Sequence, residues 1–145
     1  MENKKIKENL EKNIKSLFGI GEPASPELSK YFSGKIYFNS LILPDEKSNI
    51  QVINVTFEPG CRNNWHTHSH GQILLITDGY GWYQEWGKKA QRLKPGDVVK
   101  VPSGVKHWHG AGKDSGLSHI VISTSENVTQ WLEPVPEEEY NNLKE

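Results

Sequence analysis

From Lys35 onward, apolar and polar residues alternate with period two in short segments separated by turn-forming residues. That pattern constrains the chain more than any other, because alternation by residue is the mark of a strand with one buried face. KIYFNSLIL, IQVINVTFE, GQILLIT, GYGWYQEW, DVVKVP, KHWHG and LSHIVIS read as strands. PDEKSN, EPGCRNN, Asp78-Gly79, GKK and Lys94-Pro95-Gly96-Asp97 connect them. So many short strands with dense turn signals predict an all-β single domain, closed as an antiparallel barrel or jelly roll so that few sheet edges stay exposed. In IQVINVTFE one face carries Ile53, Val55 and Phe57, and the other Ile50, Val52, Asn54, Thr56 and Glu58. The wholly apolar face is expected to look inward, which makes Ile53 and Val55 either pocket wall or plain core.

The ends differ. Residues 3–18 carry Ile6, Leu10, Ile14, Leu17 and Phe18 at helical spacing among Lys and Glu, which predicts an amphipathic helix. Gly19 and Gly21 stop it and GEPASPELS reads as a linker, so 1–30 are helix and linker and 31–145 the domain. The tail WLEPVPEEEYNNL is expected to run extended and to enter a short helix at Pro136.

A chain of 145 residues suits one domain. A net charge of −1 gives no electrostatic footprint for nucleic acid or an anionic membrane. No apolar run approaches the ~20 residues that span a bilayer. MENKKIKENLEKN has no apolar signal core behind its lysines, and the single cysteine, Cys61, fits a reducing compartment, so a cytoplasmic protein is expected. The tryptophans Trp65, Trp82, Trp86, Trp108 and Trp131 read as barrel packing, with a substrate platform as the alternative for any one of them.

Within GCRNNWHTHSHGQILLITDG, His66 and His68 are two residues apart and so share one face of a strand. Gln72 can join them if the backbone bends near Gly71. His107 follows a Pro-x-Gly turn downstream and offers a fourth group. Imidazole nitrogens and an amide oxygen can hold a divalent ion, manganese or iron first and zinc or nickel by raw affinity. Three neutral imidazoles and a neutral amide leave the full charge on the ion, which favours Lewis-acid work over redox cycling. His109 shares the face of His107 and reads as either a general base beside the ion or a structural neighbour. His119 reads as a core or pocket-rim histidine, and His70 as a loop residue.

The spacings are those of a known family. Gly60, five residues, His66-Thr-His68, three residues, Gln72, six residues and Gly79 resemble the first cupin motif; Gly96, five residues, Pro102-Ser-Gly104, two residues and His107 resemble the second. Gln72 stands where the family usually has Glu, and Ala111 where it usually has Asn. From about Tyr31 to Asn142 the chain is similar to the small bacterial manganese-dependent hydroxynitrile lyases of cupin fold, and to the cupins associated with carboxymuconolactone decarboxylases. FSG at 32–34, TFEPG at 56–60, NNWHTHSHGQ at 63–72, GYGW at 79–82, PGDVV at 95–99, VKHWHGA at 105–111 and the Trp131 to Tyr140 tail carry this likeness.

The resemblance implies one divalent metal per chain, manganese first, held at His66, His68, Gln72 and His107. It implies proton transfer at His109 and a substrate pocket at Ile53, Val55, Asn63, His119 and Ser123. A metal-dependent lyase acting on a small carbonyl-derived molecule such as a cyanohydrin is the leading expectation. A dioxygenase of the quercetinase type and a non-catalytic small-molecule-binding cupin are the alternatives. Cupin relatives commonly pair through barrel faces, so a homodimer or larger homo-oligomer is expected.

Overall fold

The computed structural model describes residues 4, 5, 7, 8 and 16–144. Thirteen strands run in the order β1 Glu22–Pro23, β2 Phe32–Ser33, β3 Ile36–Ile42, β4 Ile50–Phe57, β5 Arg62–Asn63, β6 His66–His68, β7 Gln72–Gly79, β8 Gly81–Glu85, β9 Gln91–Leu93, β10 Val98–Val101, β11 His107–Ala111, β12 Leu117–Thr124 and β13 Thr129–Trp131. Short helices span Pro26–Ser29 and Glu137–Asn141. The strands form two facing antiparallel sheets. One follows β1-β3-β4-β12-β7-β10; the other follows β13-β6-β11-β5-β2, with β8 joining β11 and β9 joining β8. This is the all-β antiparallel architecture that the period-two pattern predicts.

The core lies between the sheets, as the inward face of β4 requires. Val55 and Phe57 pack with Ile36, Leu74, Ile76, Val99, Val101 and Leu117, all buried. Each large side chain removed from water there contributes about 1.5–3 kcal/mol. The opposite face of β4 is also buried at Asn54 and Thr56. Its polar groups are satisfied within the sheet and by the chain before β1. Asn54 Nδ2 donates to Gly19 O at 2.7 Å, and Thr56 Oγ1 meets Ser118 Oγ at 3.1 Å. Ile20 packs on Tyr37 beside them.

The ends differ in detail from the sequence reading. Lys4, Lys5, Lys7 and Glu8 are helical, whereas Ile6, Leu10 and Ile14 of the expected stripe lie outside the described residues. Leu17 and Phe18 sit in an exposed turn rather than in a helix. The expected linker contributes β1, which pairs with β3, and a helical turn capped by Ser25, whose Oγ accepts from Leu28 N at 3.3 Å. At the other end Pro136 is the N-cap of the last helix, which begins at Glu137, one position after its expected start. That segment lays Val135 and Tyr140 over Trp65, Trp82 and Trp108, with the Arg62 guanidinium 4.4 Å from the Tyr140 ring centre. Trp86 departs from barrel packing: it is 59% exposed, with Lys106 Nζ 3.4 Å over its ring. Among the described residues no helix is long and apolar enough to cross a membrane.

Candidate metal centre

His66 and His68 project from one face of β6, as their spacing requires. β6 pairs with β11 so that His66 lies opposite His107, and with β13 so that His68 lies opposite Thr129. The ring centres of His66 and His107 are 4.2 Å apart, those of His66 and His68 4.8 Å, and those of His68 and His107 5.3 Å. Gly71 makes the bend that returns the chain into β7. Its φ is 74°, and a Cβ there would meet Val101 O at 2.4 Å, so the turn accepts only glycine. Beyond it the Gln72 amide nitrogen lies 2.6 Å from His68 Nε2. The four residues expected as ligands are therefore brought to one place.

Their outer hydrogen bonds set what they offer. His66 Nδ1 donates to Asn64 O at 2.8 Å, and His107 Nδ1 donates to Val105 O at 2.9 Å. A carbonyl only accepts, so both rings carry their hydrogen on Nδ1 and present a bare Nε2. His68 follows the same pattern, with Thr129 Oγ1 2.9 Å from Nδ1 and the Gln72 amide facing Nε2. His107 Nε2 is buried without a partner. An orphaned lone pair inside a protein is costly unless something binds it, and metal-bound histidines characteristically tie off the other nitrogen in this way. The residues thus fit a metal ion.

Burial, reinforced by the neighbouring imidazoles, holds His66 well below its ordinary pKa and brings His68 down to about 4. Burial lowers His107 as well. The rings are neutral, the form that binds a cation.

His109 forms a compact trio with His66 and His107, one ring nitrogen of each lying within 4.8 Å of the other two. Its own bonding sets it apart. Asn63 Nδ2 faces His109 Nε2 at 3.2 Å, and Nδ1 is buried without a partner. His109 is held well below its ordinary pKa, first by burial and then by the adjacent His119. His119 has both ring nitrogens buried and unpartnered, packs edge-on against His109 at 5.0 Å, and is brought down to about 4 by burial.

Four of these histidines, His66, His68, His109 and His119, line a cavity of about 200 Å³ between the sheets. Ile53, Val55, Asn63, His119 and Ser123 all line it, as do His66, His68, Gln72 and His109, while His107 stands behind them. Most of the remaining wall is apolar. Sequence reasoning missed Leu28, Phe32, Asn127 and Thr129, which also line the cavity, and Trp131 lines it too, the alternative the sequence left open for each tryptophan. Trp131 packs on His66 with ring centres 4.8 Å apart and is itself stacked on Tyr31. Leu28 falls in the presumed linker; Thr129 and Trp131 belong to a three-residue strand, too short to show a period. His70 is exposed, as a loop residue should be.

Two facing antiparallel sheets with histidines of two motifs converging beside a cavity define a cupin. The family described as Cupin domain matches residues 53–123, and the chain belongs to that family. It is 38% identical over 124 residues to an (R)-mandelonitrile lyase of Granulicella tundricola, covering 83% of this chain and 95% of the relative. A shorter match, 33% identical over 61 residues, joins 39% of the chain to 35% of an acireductone dioxygenase of Picosynechococcus. Among solved structures, a cupin-like protein of Thermotoga maritima is 46% identical, with a TM-score of 0.78, covering 87% of this chain and 95% of that one.

Proposed function

We propose that this protein is a metal-dependent lyase that cleaves a small carbonyl-derived substrate such as a cyanohydrin. The observation that carries the reading is the orientation of His66, His68 and His107, each with Nδ1 bonded away from the other rings, beside a largely apolar cavity lined by His66 and His68. Near-full-length similarity to a mandelonitrile lyase supports it. We assign these three nitrogens and the Gln72 amide oxygen as the ligands of one divalent ion per chain, manganese first, with iron, zinc or nickel also admissible. Asn63 already faces His109 Nε2, which leaves that ring to act on the substrate. When bound, such an ion supplies Lewis-acid polarisation of a substrate oxygen.

The chain's own residues do the rest. Ile53, Val55, Phe57 and Val121 exclude water and hold an apolar substituent. His119 and Ser123 offer polar groups along the same wall, Ser123 Oγ already 2.9 Å from Gln51 Nε2. His109 is the side chain whose unpartnered Nδ1 we assign to meet the substrate. The reading includes a homodimer or larger assembly, and the single buried Cys61 suits the cytoplasm.

The test is elemental analysis of protein purified without chelator or metal-affinity resin, followed by assay against cyanohydrins and the matching aldehydes with cyanide. Stoichiometric metal with turnover of some member of the panel is expected. Metal-loaded protein inert toward every member would overturn the lyase assignment.

A further inference from the structure

One side chain, Asn63 on β5, grips His109 at two points. Its Oδ1 accepts the backbone N–H of His109 at 2.9 Å, and its Nδ2 lies 3.2 Å from His109 Nε2. The first bond decides which end of the amide is which: a backbone N–H can only donate, so the atom it meets is the oxygen. The other end is therefore the –NH₂ group, which can only donate, and His109 Nε2 must accept. An Nε2 that accepts carries no hydrogen. In the neutral ring the hydrogen then sits on Nδ1, the nitrogen that is buried and has no partner within the protein.

We infer that Asn63 is a positioning residue that locks His109 as the Nδ1–H tautomer, so that its unpartnered nitrogen is a hydrogen-bond donor and not a proton acceptor. The same lock withdraws His109 from metal binding. Coordination through Nδ1 needs a lone pair there, which would put the ring hydrogen on Nε2 against the amide hydrogens of Asn63. It also names the ligand chemistry opposite His109: an acceptor atom, such as a carbonyl or alkoxide oxygen or a nitrile nitrogen. Acting as a base through Nδ1 would require the ring to change tautomer and Asn63 to turn over, giving up its bond to the His109 backbone. Both residues are buried, which makes an unpaired polar atom costly and the lock firm.

This deepens the lyase reading without depending on it for its test. The full chain, ¹⁵N-labelled at histidine, is examined by long-range ¹H–¹⁵N correlation, metal-free and loaded with diamagnetic Zn²⁺. His109 is assigned by the signals lost in His109→Gln. The expected result is a protonated Nδ1 and a bare Nε2 in both samples. In Asn63→Asp the second carboxylate oxygen can only accept, so His109 should move its hydrogen to Nε2. Asn63→Ala should leave a mixture of tautomers. An Nε2–H tautomer or a mixture in the parent protein overturns the inference whatever the variants do, as does a parent-like tautomer in both Asn63 variants. If the protein proves to be a lyase, Asn63→Asp should lower kcat by roughly 10²-fold, the usual yield of one donor facing developing negative charge. The expected tautomers in a protein with no lyase activity leave this inference standing and remove only the proposed reaction.

Discussion

His107 shows what a single residue contributes here. Its Nδ1 is committed to Val105 O and its Nε2 is buried and unpartnered, so His107→Ala should remove both a ligand and the reason for the site's geometry. Metal content is expected to fall to near background by elemental analysis, with the fold kept by circular dichroism; full occupancy would show that the ion sits elsewhere. Gln72 sets the charge of the same site. In Gln72→Glu a carboxylate stabilises the oxidised ion, so a redox titration should find the bound iron or manganese at a lower reduction potential, and an unchanged or higher one would defeat the charge argument. His119 ties the cavity wall to stability. Burial depresses its folded pKa to about 4, below the unfolded value of about 6.5, so the unfolded chain binds the proton first as pH falls. Its contribution is whole above about pH 6.5 and is lost progressively toward pH 4, by up to about 3 kcal/mol. His109 faces it and titrates in the same direction, so the residue's share is read by difference. Denaturant midpoints of metal-free protein should fall less over that window in His119→Phe than in the parent, and parallel curves would mean that His119 is already solvated.

Among the elements, β13 matters more than its three residues suggest. It places Thr129 opposite His68 and Trp131 opposite His66, so the centre is held from the C-terminal side by a strand outside both motifs. Thr129→Val keeps the shape but removes the oxygen that faces His68 Nδ1 at 2.9 Å. Loss of such an outer bond typically costs 10- to 100-fold in metal affinity, measurable by competition with a fluorescent chelator; parent-like affinity would show that β6 alone orients the ring. The long strands β3, β4, β7 and β12 were legible because seven or eight residues display a period, and His66 with His68 was legible because two residues suffice to define one face. β1, β2, β5 and β13 were not, since two or three residues carry no period and each exists only because a distant strand pairs with it. The grip of Asn63 on His109 was hidden for the same reason. It depends on β5 meeting β11 through Arg62 and Gly110, 48 positions apart in the chain, and no local pattern encodes that. The outward face of β4 misled differently: Asn54 and Thr56 look solvent-facing in sequence, but the Gly19–Ile20 segment lies close by and Asn54 is bonded to it.

At the scale of the whole molecule, the outer face of the six-stranded sheet carries exposed apolar side chains among the described residues. The registers of the six-stranded sheet place Ile42, Val52, Ile122, Ile73 and Lys100 in one cross-strand row, and Asn39, Asn54, Ile120, Leu75 and Val98 in the next, an apolar stretch bordered by Lys100 and the two asparagines. Directly paired residues point to the same side of a sheet, and Asn54 marks that side as the one away from the cavity. The Asn54 end of this face is closed by Gly19 and Ile20. Farther along, Ile42, Ile50, Ile73 and Val98 are 55%, 46%, 38% and 67% exposed. A contiguous apolar face on a sheet is a surface that association can bury, and a stable interface needs about 1,200 Å² or more in total. A second copy turned about a two-fold axis would set each row against its equivalent, as closed pairing of identical chains requires. Light scattering at micromolar concentration should therefore give at least twice the 16.5 kDa of one chain. The double variant Ile73→Lys, Val98→Glu should shift the protein toward the monomer while leaving metal content unchanged, because both side chains lie on the far side of the sheet from the histidines. A parent protein that scatters as a clean monomer would refute the assembly, and a variant that stays dimeric would move the interface to another face.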